Sequence, residues 1–361
     1  MPKTQVAVEI TETSVRAVEV TTGRAPQLVA AGEVALPPGA AKDSEILDRD
    51  AVAVALQRLW ADARISSRDV VLGVGNRRIL VREHSTQLTN PVQIRQSLPF
   101  EVQDRLPVPV DQAVLDFVPT RQDERGVHGL LVAAVAEHME ELVGALDQAK
   151  LRAISIDLVA FGYSRALAAL APPGQTGLFL GIGEHTTHIV IATDGIPRFV
   201  RVVPIDIVAP PADDAVPGDA EFGAPSAGVA GQGITVVSRA TLRRERTGVA
   251  EPPAPAAPPP PADVALHPAV QAALIDLVGR LKGTVSFYRD RPESVPIDTT
   301  WIAGAHAAHP RLLEAVARVT GTPVTPVTAT DLVPPARAFA LPPAAGPRLA
   351  GTVSLLLGGT R

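Results

Sequence analysis

Two segments of the chain, Gln5–Val20 (QVAVEITETSVRAVEV) and Gly177–Gly195 (GLFLGIGEHTTHIVIATDG), share an arrangement suited to binding an anion. Each passes from an apolar strand through a short turn rich in Thr and Ser into a β-branched strand. Backbone N–H groups of such a turn can cradle a phosphate, and a glycine lets it approach closely. The alternative reading of both is a strand pair with a solvated turn. Strand alternation places His185 and His188 on opposite faces, against a shared metal. His306 and His309 at helical spacing, and Arg243, Arg244 and Arg246, read as solvated groups. No Ser-His-Asp order, P-loop or paired-carboxylate pattern stands out.

The elements that must position these groups follow from periodicity. Residues 5–36 predict a three-strand meander, and Asp48–Asp62 a helix with Val52, Leu56, Leu59 and Trp60 on one stripe. Val70–Gly75 is a buried strand. Residues 79–150 have their own strand–helix–strand–strand–helix order, which predicts a small inserted α+β subdomain. Leu151–Leu158 reads as a strand and Val159–Leu170 as a helix. A second lobe begins at 174, continues to 207 and resumes over 263–361, with a long helix at His267–Tyr288, a strand at Thr299–Gly304, a helix at Pro310–Val319 and a closing helix at Arg348–Gly359. Residues 1–78 and 151–173 make up lobe one. Between the parts of lobe two, residues 208–262 are rich in Pro and Ala and predict a disordered linker.

Composition sets bounds. A chain of 361 residues predicts two lobes or domains. A net charge of −5 gives no global attraction to nucleic acid or anionic lipid. Aromatics at 3% leave little surface for stacking bases or sugars. The absence of Cys excludes thiolate catalysis and Cys-ligated metal. No stretch approaches the roughly 20 apolar residues of a membrane span, and MPKTQVAVEI lacks the pattern of a secretory signal. A cytoplasmic protein is expected.

The order and spacing of AVEITETSVRAVEV, LPFEVQDRLPVPVDQAVLDF, LLVAAVAEHMEELVGALDQAKLRAISIDLVAFGYSRAL and LGIGEHTTHIVIATDGIPRFVR resemble the PilM family. These are actin-like proteins of type IV pilus assembly, related to the cell-division protein FtsA. The resemblance spans nearly the whole chain. It implies a two-lobed α/β actin-like (ribonuclease H-like) ATPase fold, with an inserted α+β subdomain in lobe one and a reduced second lobe. One phosphate hairpin would come from each lobe.

Against that family's Asp–Ile–Gly, the first hairpin has Glu9, Ile10 and Thr11, and the second has Gly181, Ile182 and Gly183. Glu9 is one methylene too long and Thr11 puts a side chain where bare backbone is needed. Gly181 removes the carboxylate that would hold metal-bound water, on which phosphoryl transfer depends. Glu184 is expected to project from its turn. In WIAGAHAAHP, similar to the adenosine motif, Gly304 remains and Ala305 takes the second Gly position. RVVPIDIVAPP occupies the stretch where the family has a Gly-Gly segment and a helix.

The expected function is therefore a scaffold, not an enzyme, with no catalytic residue and no metal. ATP with Mg²⁺ would enter only if nucleotide binding is retained, through Thr13, Ser14, Arg16, Gly183, Thr186, Thr187 and Gly304. The resemblance implies as partner the cytoplasmic N-terminal peptide of a PilN-like membrane protein, in a groove lined from Ile79–Gln87, Asn90–Leu106 and Ala149–Ala160. It also allows other pilus machinery proteins and self-association, and a location at the inner face of the cell membrane through a partner. The competing class is an actin-like ATPase acting as a switch. A sugar- or acetate-kinase relative would need carboxylates and substrate loops that the sequence lacks.

Overall fold

The computed structural model describes residues 3–42, 45–76, 78–207 and 266–358. Alternating Val and Ala residues build the opening meander, β1 (Thr4–Ile10), β2 (Ser14–Thr21) and β3 (Leu28–Ala35). Two short strands, β4 (Ala41–Lys42) and β5 (Glu45–Ile46), precede α1 (Arg49–Ala63). Asp48 caps α1 by accepting a hydrogen bond from the Ala51 amide at 3.0 Å. After β6 (Asp69–Val74) the chain enters β7 (Leu80–Thr86), α2 (Pro91–Val102), β8 (Ala113–Asp123) and β9 (Gly126–Val135). Asn90 caps α2, accepting from the Val92 amide at 2.9 Å, and Pro91 fits the first turn because its missing N–H is not needed there.

The chain returns through α3 (Ala136–Gln148), β10 (Arg152–Leu158) and α4 (Val159–Leu170). A second meander, β11 (Thr176–Ile182), β12 (Thr186–Thr193) and β13 (Ile196–Pro204), opens lobe two. There follow α5 (Pro268–Arg289), β14 (Thr299–Gly304), α6 (Pro310–Thr320) and β15 (Val324–Pro326). The chain closes with α7 (Ala329–Leu332), α8 (Ala345–Arg348) and α9 (Ala350–Ser354). Of the expected closing helix at Arg348–Gly359, Arg348 ends α8 and only Ala350–Ser354 forms a further short helix, α9.

The two lobes repeat one topology. Lobe one has the order β10-β6-β1-β2-β3 and lobe two β15-β14-β11-β12-β13. In each, the first three strands are antiparallel and the fourth and fifth add in parallel. This duplicated ribonuclease H-like sheet is the two-lobed arrangement implied by the resemblance. The insert forms a separate sheet in the order β7-β9-β8, backed by α2 through Leu98, Val102 and Leu131. Met139, Leu142, Ala145 and Leu146 of α3 instead join the core of lobe one.

One apolar cluster runs through both lobes. It joins Ala7 and Val18 of lobe one, Val159 and Leu167 of α4, Phe179, Val190 and Trp301 of lobe two, and Val353 of α9. The expected linker at 208–262, with Arg243, Arg244 and Arg246, lies outside the described residues.

Candidate functional site

The two hairpins turn alike. In the first, Ile10 pairs with Val15, Glu9 with Arg16, and the Thr11 amide donates to the Ser14 carbonyl at 2.8 Å. In the second, Ile182 pairs with Thr187, Gly181 with His188, and the Gly183 amide donates to the Thr186 carbonyl at 2.9 Å. Glu9 therefore corresponds to Gly181, and Arg16 to His188. Both turns line one cleft with Gly304 and Arg348.

Charge in this cleft is paired within the protein. Arg16 Nε donates to Glu33 Oε1 at 2.8 Å, and its Nη2 donates to Glu184 Oε1 at 3.3 Å. Arg348 Nη2 reaches the same two oxygens at 2.7 and 2.6 Å. Ser14 Oγ donates to Glu33 Oε1 at 2.7 Å, and Thr13 Oγ1 donates to Glu184 Oε2. Glu184 thus points into the cleft, which corrects the expectation that it projects away. Arg16, buried on the strand, draws this carboxylate inward.

Burial works to raise the Glu33 carboxyl, but Arg16, its hydrogen bonds, Ser14 and Arg348 together hold it below the usual range. Burial likewise opposes the Arg16 charge, and Glu33 and Glu9 outweigh it, so its pKa is raised.

Deeper in, Glu9 accepts a hydrogen bond from Thr352, and burial raises its carboxyl above the usual range despite that bond and Arg16. His188 is buried; its Nε2 donates to the Gly75 carbonyl at 2.9 Å, and burial lowers its pKa to about 4. His185 lines the same cleft from the turn, with Nδ1 2.7 Å from Asp206. Among the described residues no group of three His, Asp or Glu side chains is placed to hold a metal.

The glycines have packing reasons. A Cβ on Gly181 would meet the Tyr163 ring at 2.3 Å, so the aromatic ring of α4 fills the space beside the missing carboxylate. Tyr163 stacks on Phe179 with ring centroids 4.4 Å apart. Gly304 has φ +110°, and a Cβ there would sit 1.8 Å from the Ile182 carbonyl oxygen. Thr187 is buried and its hydroxyl has no hydrogen-bond partner, while Thr186 is half-buried at the cleft wall.

The cleft encloses about 80 Å³, against the roughly 300–1,000 Å³ common for small-molecule sites. The pairs of Arg16 and Arg348 with Glu33 and Glu184 occupy its polar part. The residues that sequence reasoning missed, Glu33, Arg348 and Tyr163, fill its polar and aromatic positions together with Glu184. Of these, Glu33 had a sequence signal, since the meander places it directly across from Arg16.

A larger groove, of about 800 Å³, lies between the insert and lobe one. One wall is β10, the edge strand of lobe one; another is β8, the edge strand of the insert. Val132, Ala134, Met139 and Phe161 give it an apolar lining, and Arg95, Asp116, Asp157 and Arg165 supply charge. Exposed Val114 and Ile156, at 50% and 42%, face solvent from its two walls. Of the expected lining, Ile79, Arg95 and the Ile156–Leu158 stretch take part. The segment from 80 to 87 does not, because β7 is the far edge of its sheet; β8 and, from lobe two, Gly195 and Pro197 take its place.

Duplicated sheets, a hairpin from each lobe at one cleft and an inserted subdomain define an actin-like protein. A family model described as type IV pilus assembly protein PilM matches residues 7–201, and the chain belongs to that family. A solved PilM–PilN type IV pilus biogenesis complex is similar over 97% of this chain and 97% of that one, at 19% identity and a TM-score of 0.73. The cytoplasmic domain of EpsL, an inner-membrane component of the Vibrio cholerae type II secretion system, matches over 56% of this chain and 71% of that one, at 12% identity and TM-score 0.40. A Bacteroides thetaiotaomicron protein with an actin-like ATPase fold matches over 89% of this chain and 90% of that one, at 5% identity and TM-score 0.45.

Proposed function

We propose that this protein is a scaffold of a type IV pilus assembly machine that binds the short cytoplasmic tail of a PilN-like membrane protein and does not hydrolyse ATP. The observation that carries this reading is the groove between β10 and β8, where two strand edges border an apolar lining. An extended peptide can add its backbone to such an edge while alternate side chains enter the groove. The similar solved structure is described as a complex with PilN, which supports the choice of partner. No helix among the described residues is long and apolar enough to cross a membrane. The reading therefore puts the protein at the inner face of the cell membrane through its partner. Further pilus proteins, and a second copy of the chain, are compatible with it.

The absence of hydrolysis is supported by the small cleft, the Tyr163 ring beside Gly181 and the internal pairing of Thr13, Ser14 and Arg16. The competing reading, an ATP-dependent switch, would require that pairing to open.

The test is titration calorimetry with the tail of an adjacently encoded single-span protein. Saturable binding is expected; a folded sample that binds no tail would overturn the proposal.

A further inference from the structure

We propose that Glu184 is a built-in anion that takes the place of a bound phosphate in the cleft and fastens the lobe-two hairpin to lobe one. Three donors from two other parts of the chain converge on its carboxylate. They are Arg16 Nη2 at 3.3 Å and the Thr13 hydroxyl from the first hairpin, and Arg348 Nη2 at 2.6 Å from α8. Two guanidinium groups and a hydroxyl aimed at one oxyanion suit a carboxylate or a phosphate alike.

Glu33 also accepts from both guanidinium groups, Arg16 through Nε and Arg348 through the same Nη2, so each arginine keeps a second carboxylate partner when Glu184 is replaced. The site also has a donor to spare: Arg348 Nε is buried and has no hydrogen-bond partner. A phosphate, with more acceptor oxygens than a carboxylate, could use it.

The Arg16 side chain is only 9% exposed, and a buried cation that loses part of its counter-charge destabilises the fold. Glu184 therefore supplies from the protein what an anionic ligand would otherwise bring, and the lobes are joined without one. This inference concerns the cleft and does not depend on peptide binding in the groove.

The test is thermal unfolding of the full chain and its Glu184→Ala and Glu184→Gln variants, in inorganic phosphate or in chloride at equal ionic strength. In chloride, Glu184→Ala should lower Tm by roughly 4–8 °C. Phosphate should restore at least half of that loss, and should move the wild type and Glu184→Gln, whose side chain still fills the space, by less than about 1 °C. An unchanged Tm for Glu184→Ala, no recovery in phosphate, or the same phosphate shift in all three proteins would overturn the proposal. Should Glu184→Ala fail to fold, a double-mutant cycle of Glu184→Gln with Arg348→Gln decides. A double variant that loses less than the sum of the single losses supports the pairing, and additive losses overturn it.

Discussion

Glu9, Arg16 and Glu33 stand side by side across three strands, so one row of the first meander fixes the charge pattern of the cleft. The second hairpin repeats the backbone but places Gly181 and His188 in the corresponding positions. Its neutral His and missing carboxylate make room for Tyr163. Gly304 is bound by the same close packing. Gly304→Ala should cost about 3 kcal/mol or more in urea unfolding, since a Cβ would meet the Ile182 carbonyl in a backbone conformation that disfavours side chains.

His188 predicts a pH dependence. The unfolded chain takes up this proton near pH 6.5 and the folded protein only near 4. The unfolded state binds more protons between these values, so stability falls as pH drops through that window, by up to about 3 kcal/mol. His188→Gln should flatten this part of the stability–pH curve; identical slopes for variant and wild type would show that another group is responsible. At this scale the erosion of the motifs was legible in the sequence. The inward turn of Glu184 was not, because its partner Arg348 is 164 residues away.

Elements were the most legible level. Periodicity marked the first meander, the second hairpin, α1, α4 and α5. The walls of the groove were harder to read, because strand order within the insert decides which edge faces it. β9 lies between β7 and β8, so the groove receives β8. Ile156, on the exposed edge strand β10, offers a test of this element. Ile156→Asp should weaken tail binding at least about tenfold by placing a charge in the apolar groove. Its Tm should stay within about 2 °C of wild type, because the side chain is already partly in water. Calorimetry beside a melting curve separates lost binding from lost fold.

Across the whole molecule, the shared apolar cluster and the ion pairs Arg16–Glu184 and Arg348–Glu33 join the lobes by two independent means. Both are contacts between protein side chains. Millimolar Mg·ATP should therefore leave Tm within about 1 °C; a reproducible rise of several degrees would establish nucleotide binding through linkage.

The sequence by itself determined the duplicated strand–turn–strand pattern, the insert and the glycine at 181 where the first hairpin has Glu9, because these depend on local periodicity and residue type. Only the tertiary structure decided what fills the eroded site. The packing of α4 brings Tyr163 against Gly181, and the fold of the closing segment carries Arg348 to Glu184. Contacts between groups apart in sequence leave no local pattern: Tyr163 meets Gly181 only once the two lobes meet, and Arg348 meets Glu184 only once the two parts of lobe two come together.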